Sequence, residues 1–563
     1  MDPPFATGDD FSFTVTVPNG ADTSQRFVKV PSIIEQKAYR DTWGKGLDGY
    51  LDWFSNMALL LHELLAPNGS LYVHCDYRVN SYIRAILDEL FGADNFRNDI
   101  RWVRSLPHND PQQYGRSSDT ILYFTRSADR TFQPQYVPQK EESVEAHYRT
   151  DETGRRYRLA SLLAPGGRGP RYVYKGLMRN WRFTREKMEA LESEGRVFFR
   201  EGQMPARIYY LDESLGSQVQ DVWADISPLN PMASERVGYP TQKPEGLLDR
   251  IIQSSTNEGD LVLDCLCGSG TTAVVAEKLG RRWIAADLSR FAVHCTRKRL
   301  LSIPNLRPFV VQNLGKYERQ VWQVAEFGEQ AAARTIAYRH FILAVYNAEP
   351  IEGYLWLHGI KQGRMVHVGT VDSPVTVGDI KQVAAEFRRV QGTGRDAPTV
   401  SSVDVLGWDF AFELNEVARQ EAARASIDVR FLRIPREVLD KRAVEQGDVR
   451  FFELAALSVD VSRQSRVVTV SLTDFVIPLG DVPEDVQRSI TNWVQWIDYW
   501  AVDWHNEGDT FHNQWQSYRT RKMRRLETSA SHTYAEPGTY KIVVKVIDIL
   551  GNDTTKTLEV AVS

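Results

Sequence analysis

One stretch near the middle of the chain limits the possible folds more than any other. Residues 260–265, with Leu261, Val262 and Leu263 at their centre, are predicted to form a buried strand. Gly268 and Gly270 follow it, and residues 271–279 have the spacing of a helix. A second short apolar run, residues 283–286, ends in Asp287. Because a strand that passes through a glycine turn into a helix is typical of an α/β sheet, this order predicts parallel strands connected by helices.

The same order predicts a ligand site at the carboxyl ends of these strands. Glycines let a backbone approach a ligand closely, and an acidic residue after the second strand can accept hydrogen bonds from both hydroxyls of a ribose. A glycine-rich turn without any ligand is the alternative. The order of strand, turn, helix, strand and Asp287 favours a site for an adenosine-containing cofactor.

Two further motifs carry chemistry. The chain opens with Asp2-Pro3-Pro4-Phe5, where the prolines remove two N–H donors and leave carbonyl and carboxylate oxygens to accept from an amine. Phe5 adds a ring for stacking, although four residues at a terminus are also typical of a disordered tail. Further along, Lys243-Pro244 precedes a predicted helix, which indicates either a site for a carboxylate or an ordinary helix cap.

Together, these three motifs resemble those of the β-class S-adenosylmethionine-dependent DNA amino-methyltransferases. The resemblance covers about residues 1–301, and the modification subunits of type III restriction systems are relatives. It implies a Rossmann-like methyltransferase sheet, S-adenosyl-L-methionine as cofactor and double-stranded DNA as substrate. An Asp at the head of the tetrapeptide is similar to the family's adenine-N6 members; cytosine-N4 methylation stays open as an alternative.

The resemblance assigns roles to individual residues. Asp2 and the carbonyl of Pro3 would accept from the adenine N6 amine, with Pro4 stiffening the segment and Phe5 stacking on a base flipped out of the duplex. Asp287 would hold the ribose and Lys243 would face the methionine carboxylate. The remaining cofactor-binding residues are Asp264, Cys265, Gly268, Gly270, Thr271 and Pro244.

Two departures from the family's pattern affect these expectations. Cys265 and Leu266 stand where the family has Pro-Phe, a change that we expect the cofactor pocket to tolerate. Only Met1 precedes Asp2, whereas the family has a strand there. We therefore expect the sheet to lack a strand and the chain to retain some cofactor binding but to methylate DNA weakly or not at all. A catalytically silent DNA-binding subunit is the rival interpretation.

Other candidate sites are less specific. His74 lies near the end of the predicted strand 70–75, so it either positions substrate or packs as part of the strand end. The spacing of the cysteines and His294 matches no zinc-binding pattern, so we predict no metal site. The segment 149–185 holds ten basic and two acidic residues interleaved with aromatic ones, which indicates a DNA-contacting surface or a solvated face.

These patterns predict an α/β protein with an inserted target-recognition domain, a second, smaller α/β domain and a C-terminal β-sandwich. The sandwich resembles polycystic-kidney-disease (PKD) domains in His532-Thr533-Tyr534 and Pro537-Gly538-Thr539-Tyr540. The predicted boundaries are 1–126 (catalytic half), 127–235 (insertion), 236–314 (cofactor half), 315–335 (linker), 336–462 (accessory α/β domain) and 463–563 (sandwich).

Composition limits the setting. The net charge of −5 excludes a bulk polycation, so a DNA-binding surface must be local. With 42% hydrophobic and 25% charged residues, the 563-residue chain is not largely disordered. We expect no membrane segment and no secretory signal, and four cysteines are typical of a reducing cytoplasm. Restriction-type systems suggest a helicase or nuclease subunit as a partner, by analogy only.

Overall fold

The computed structural model describes residues 1–4, 13–19, 23–29, 46–105, 112–230, 232–391, 400–411, 426–447, 449–478, 482, 484–508, 510–520 and 523–563. Near the N-terminus, β1 (Phe13–Asn19) and β2 (Thr23–Lys29) form an antiparallel pair in which Phe13 lies opposite Lys29.

The first half of the α/β core is a sheet with helices on one face. Its elements are α1 (Leu47–Leu64), β3 (Ser70–Cys75), α2 (Asn80–Phe91), β4 (Phe96–Val103) and β5 (Ser118–Thr125). β5 lies between β3 and β4 and is antiparallel to both. Phe54 of α1 and Leu87 of α2 pack against Val73 and Phe124. β4 is absent from the sequence predictions because charged residues interrupt its apolar pattern.

The insertion is built from small antiparallel units. Its elements are β6 (Tyr136–Val137), α3 (Glu141–His147), β7 (Arg149–Thr150), β8 (Arg156–Ser161), β9 (Arg171–Tyr174), β10 (Leu177–Asn180), α4 (Arg185–Ser193), β11 (Val197–Phe198), β12 (Ala206–Tyr210), β13 (Ser217–Gln218) and β14 (Val222–Trp223). One sheet has the order β11-β12-β8-β7, and β9 and β10 form a hairpin. Leu162, Trp181 and Met188 fill a local core. β14 pairs in parallel with β4, which gives the mixed core sheet the order β14-β4-β5-β3.

The second half of the core follows the predicted order. Its elements are α5 (Glu245–Ser255), β15 (Leu261–Asp264), α6 (Thr271–Lys278), β16 (Arg282–Ala285) and α7 (Arg290–Leu301). β15 and β16 are parallel and in register from Leu261 opposite Arg282. Leu247 of α5 covers the second face of the first sheet, against Ile100 and Trp102. Helices therefore cover both faces of the core sheet.

The accessory domain is a second α/β unit. Its elements are α8 (Gly315–Phe327), α9 (Ala331–Tyr346), β17 (Glu349–Pro350), β18 (Gly359–Lys361), β19 (Arg364–Val368), α10 (Val377–Val390), β20 (Ser402–Gly407), β21 (Asp428–Arg433), α11 (Lys441–Gln446) and β22 (Phe452–Glu453). The sheet runs β17-β18-β19-β20-β21-β22, with β19, β20 and β21 parallel. α8, in the predicted linker, packs on this domain through Trp322 and the Arg319–Asp409 ion pair. Residues 415–424, whose sequence favours a helix, lie outside the described residues.

The C-terminal region is a two-sheet sandwich, as predicted. Its elements are β23 (Ala456–Gln464), β24 (Val467–Val476), α12 (Glu484–Ser489), β25 (Ile497–Asp503), β26 (Trp515–Tyr518), β27 (Ser529–Thr533), β28 (Gly538–Asp548) and β29 (Asp553–Val562). The sheets have the orders β23-β24-β27 and β26-β25-β28-β29, and Phe475, Trp500 and Val544 pack between them. The first strand begins at Ala456, ahead of the predicted boundary at 463.

Across the described ranges, no helix combines the length and the apolar character that a membrane crossing requires. In the same ranges, no three His, Cys, Asp or Glu side chains are grouped so that they could hold a metal ion.

Candidate active site

Met1 attaches the start of the chain to the first sheet. Its amino group donates to the carbonyl of Tyr72 at 3.0 Å, and its carbonyl accepts from the amide of His74 at 3.0 Å. These two bonds add Met1 to the backbone hydrogen bonds of β3. They place Asp2 beside the carboxyl end of β3, with Pro3 buried behind it.

Asp2 lies in a row of ionisable side chains. Its Oδ1 is 2.7 Å from Nδ1 of His74, and its Oδ2 accepts from Nζ of Lys243 at 2.5 Å. On the other side of the ring, Nε2 of His74 lies 3.2 Å from Oδ2 of Asp119, whose Oδ1 accepts from Nε of Arg104 at 2.7 Å. His74 is buried near the end of β3 and contacts Asp2, and a role for it in positioning substrate stays a prediction.

The ionisation of Asp2 follows from this row. Removal from water raises the pKa of the carboxyl, but the ammonium of Lys243 and the ring of His74 outweigh this effect and hold the pKa of Asp2 well below its ordinary value. The carboxylate is therefore ionised at neutral pH. It is a strong hydrogen-bond acceptor and a weak base.

Lys243 joins the two halves of the core. While its ammonium binds Asp2, its backbone carbonyl accepts from Oγ1 of Thr271 at the start of α6, at 3.2 Å. Pro244 is the N-cap of α5, and the first amide of that helix, on Glu245, donates to the carboxylate of Glu235 at 2.9 Å. The segment around Lys243 is thus fixed to both motifs.

The segment between β15 and α6, residues 265–270, is here called the glycine loop. Asp264 holds its two ends: its Oδ1 accepts from the amide of Leu266 at 3.3 Å, and its Oδ2 accepts from Oγ1 of Thr272 at 2.5 Å. The amide of Cys267 donates to the carbonyl of Ala286 at 2.9 Å, which ties the loop to the end of β16.

Asp287 follows the second strand, β16, and binds the same loop. Its Oδ2 accepts from the amide of Gly268 at 2.9 Å, and its Oδ1 accepts from the amide of Ser289 at 2.9 Å. A carboxylate offers about four acceptor sites, and these two amides occupy two of them. The side chain is partly exposed and lies at the carboxyl ends of both strands, as predicted.

The glycines of the loop are required by their neighbours. Both have positive φ, +49° at Gly268 and +75° at Gly270. A Cβ on Gly268 would lie 3.3 Å from the ring of Tyr239, and a Cβ on Gly270 would lie 2.5 Å from Cγ2 of Thr296 in α7. The spacing of the motif therefore reflects the packing of the loop against Tyr239 and α7, and not only the approach of a ligand.

The structure brings most of the predicted residues together. Asp2, Lys243 and Thr271 are linked directly, and Asp264, Gly268, Gly270 and Asp287 surround the glycine loop. Cys265 is half-buried, with Sγ 3.9 Å from Sδ of Met57. Phe5 lies outside the described residues.

Several contributors were not predicted as site residues. Arg104 and Asp119 complete the row of ionisable side chains that begins at Lys243 and Asp2. The ring of Tyr239 packs against Gly268, and Arg299 of α7 donates to the carbonyl of Ser269 at 3.0 Å. Asp119 belongs to a stretch that resembles the family, but nothing in its sequence neighbourhood indicates contact with His74, because that contact requires β3 and β5 to pair.

The basic segment of the insertion retains uncompensated charge. Of its ten cations, Arg155, Arg156, Lys175 and Arg185 pair with carboxylates of the insertion. The others are exposed and have no carboxylate partner among the described residues; they are Arg149, Arg158, Arg168, Arg171, Arg179 and Arg182. They lie on or beside β7, β8 and the β9–β10 hairpin.

Two curated proteins are similar to this chain in sequence. The Type II methyltransferase M.EcaI of Enterobacter cloacae is 29% identical over 307 residues, which cover 53% of this chain and 63% of the relative. The Mod subunit of the Type III restriction-modification enzyme StyLTI of Salmonella typhimurium is 23% identical over 297 residues, covering 48% and 45%. The chain thus spans less than two thirds of the length of either relative.

Two solved structures are similar to parts of the chain. The M1.HpyAVI–SAM complex is 20% identical and covers 45% of this chain and 82% of its own, with a TM-score of 0.24. The PKD1 domain of the Vibrio cholerae metalloprotease PrtV is 15% identical and covers 19% and 96%, with a TM-score of 0.13, so the PKD assignment stays a prediction. The model of the N6/N4 methyltransferase family, described as DNA methylase, matches residues 1–298, more than half of the chain. The chain belongs to the N6/N4 DNA methylase family.

Proposed function

We propose that the chain transfers a methyl group from S-adenosylmethionine to the N6 amine of adenine in a specific sequence of double-stranded DNA. One observation carries the proposal. Lys243 binds the Asp2 carboxylate with its side chain and the start of α6 with its carbonyl, so an amine acceptor and the glycine loop form one site.

The residues around the glycine loop suit the cofactor. Asp287 lies beside the loop at the carboxyl ends of β15 and β16, where a carboxylate suits ribose hydroxyls, and the N-terminal end of α6 follows the loop. When bound, S-adenosylmethionine supplies a methyl group on a sulfonium, which a nitrogen lone pair can attack. Lys243, which we expected to face the methionine carboxylate, binds Asp2, so its proposed role is to orient the amine acceptor at the edge of the cofactor site.

Asp2 acts on the target amine as a hydrogen-bond acceptor. Because its pKa is held low, Asp2 does not remove a proton before transfer; it orients the amine and stabilises the positive charge that develops on the nitrogen as the N–C bond forms and the S–C bond breaks. The thioether product would then leave, and the methylated nitrogen would lose one proton to water. The carbonyl of Pro3 is the second acceptor, and Phe5 is proposed to stack on the base. Holding the two reactants in line supplies most of the acceleration.

The insertion is proposed to bind the duplex. Its six exposed arginines without carboxylate partners give a local positive surface on a chain whose net charge is negative. Since the target amine is inaccessible within a base pair, the base has to be flipped towards Asp2. A relative that is a Type III Mod subunit supports placing this methylation in a restriction-modification system, with a restriction subunit of the helicase or nuclease type as partner.

The test is methylation of plasmid DNA that lacks modified bases. The full chain is incubated with labelled S-adenosylmethionine, and the DNA is hydrolysed and analysed by mass spectrometry. We expect N6-methyladenine from the parent chain, at least a hundred-fold less from Asp2→Asn, and near-parent amounts from the control Asp88→Asn, which breaks another ion pair of the same half. N4-methylcytosine would instead establish the cytosine alternative, and DNA binding without any methylation would establish a silent subunit.

A further inference from the structure

Helix α7 lies between the glycine loop and the C-terminal sandwich. One side of the helix holds the loop. Arg299, which is buried, donates from Nη1 to the carbonyl of Ser269 at 3.0 Å and to Oγ1 of Thr271 at 2.9 Å, and from Nη2 to Glu245 at 3.0 Å. Thr296 lies against Gly270 so closely that a side chain at that glycine has no room. The shape of the loop therefore depends on where α7 lies.

The other side of α7 binds the sandwich. Asp498 of β25 accepts from Nζ of Lys298 at 2.9 and 2.7 Å, and its Oδ2 lies 2.8 Å from Nε2 of the buried His294. At the C-terminal end of the helix, Leu301 packs against Tyr499 and its neighbours. One carboxylate of the sandwich thus binds two side chains one turn apart on α7.

A second contact lies at the N-terminal end of the helix. The β28–β29 turn brings Gly551 against the backbone of Phe291, so that an added Cβ would lie 3.4 Å from Phe291 Cα. Phe291 in turn stacks on Tyr239, with ring centroids 6.3 Å apart and an angle of 14°. Because the ring of Tyr239 packs against Gly268, this contact also connects the sandwich to the glycine loop.

We propose that the C-terminal sandwich braces α7 through Asp498, and that Asp498 is a positioning residue for binding of S-adenosylmethionine. The cofactor part of this inference rests on the proposed function. The physical basis is that α7 is a continuous helix with the loop on one side and the sandwich on the other. Removal of the Asp498 carboxylate leaves Lys298 and His294 at a desolvated interface without their partner, which favours movement of the helix away from the sandwich. Thr296 and Arg299 move with it.

The experiment uses the full chain and two readouts. Hydrogen exchange of the glycine loop is measured without cofactor, and the dissociation constant for S-adenosylmethionine is measured by calorimetry. For Asp498→Asn we expect at least five-fold faster exchange in the loop, unchanged exchange in β3 and β5, and at least five-fold weaker cofactor binding. Lys298→Met breaks the same ion pair by a change in α7, and we expect the same pattern from it. It replaces Asp498→Asn as the test if that variant fails to fold. The double variant shows no faster loop exchange and no weaker cofactor binding than the stronger single variant, because both changes break the same ion pair.

The control is Glu484→Gln, which removes another carboxylate of the C-terminal region, paired with Arg488 on its own short helix. It leaves both readouts at parent values. Parent-like loop exchange and cofactor affinity in folded Asp498→Asn and Lys298→Met would overturn the brace. If the parent chain binds no S-adenosylmethionine, the proposed function fails, while the exchange experiment still decides whether the sandwich holds the loop.

Discussion

Gly270 offers the most quantitative test of how the site is built. In Gly270→Ala, the new Cβ lies 2.5 Å from Cγ2 and 2.7 Å from Cβ of Thr296, and closer still to its Oγ1. The backbone at φ +75° costs an alanine about 1–2 kcal/mol, and overpacking against a helix adds about 1–3 kcal/mol. We expect a total destabilisation of about 2–5 kcal/mol.

Hydrogen exchange of α6 measures this locally, since a multidomain chain has no single free energy of unfolding. The amide of Val274, which donates to the carbonyl of Gly270, is a suitable reporter. About 1.4 kcal/mol corresponds to a tenfold faster exchange. Gly259→Ala is the matched control, because Gly259 has φ +84° and no atom within 4 Å of an added Cβ. Gly259→Ala is therefore destabilised only by the cost of the positive φ, about 1–2 kcal/mol.

A double-mutant cycle isolates the packing of Gly270 against Thr296. Thr296→Gly removes the obstructing side chain and costs about 1 kcal/mol for glycine within a helix, apart from the packing of the threonine itself. In the double variant the overpacking disappears, so its destabilisation is smaller than the sum of the singles by about 1–3 kcal/mol. Additive effects, or a Gly270→Ala variant no less stable than Gly259→Ala, would refute the claim that packing against α7 requires this glycine.

Three further predictions concern the cofactor site, the insertion and the thiols. Asp287→Ala removes a carboxylate that accepts from Gly268 and is proposed to bind the ribose, so calorimetry should give about ten-fold weaker S-adenosylmethionine binding; an unchanged affinity would disprove the assignment. The second prediction replaces three exposed arginines together by glutamine: Arg168, Arg171 and Arg179. The slope of log K for DNA binding against log salt should fall in magnitude by about 0.9 for each phosphate that is no longer neutralised. An unaltered slope would place the DNA-binding surface elsewhere. Burial raises the pKa of the Cys75 and Cys267 thiols, so at pH 8 both should resist iodoacetamide in the folded chain and react after unfolding in guanidinium; equal rates in the two states, read from peptide masses, would contradict their burial.

Local patterns accounted for much of the secondary structure. The run 70–75 is β3 at the predicted bounds, and the order of strand, glycine turn, helix and strand around Gly268 is as predicted. These elements are predictable because apolar periodicity and glycine turns act over a few residues. β4 was missed for the same reason: Arg97, Asn98 and Asp99 break its apolar pattern, and only pairing with β5 makes it a strand.

Local sequence patterns identify the residue types that carry the chemistry and the elements that present them: Asp2 before two prolines, Lys243 before a helix, and Asp287 after a strand. The partners of these residues depend on how the elements pack. Lys243 reaches Asp2 across 241 positions of the chain, and His74 reaches Asp119 because β3 and β5 are neighbours. The contact of Asp498 with α7 joins domains 200 positions apart. Such contacts leave no periodic trace in the sequence, because each depends on how separate elements pack and not on the spacing within any one of them.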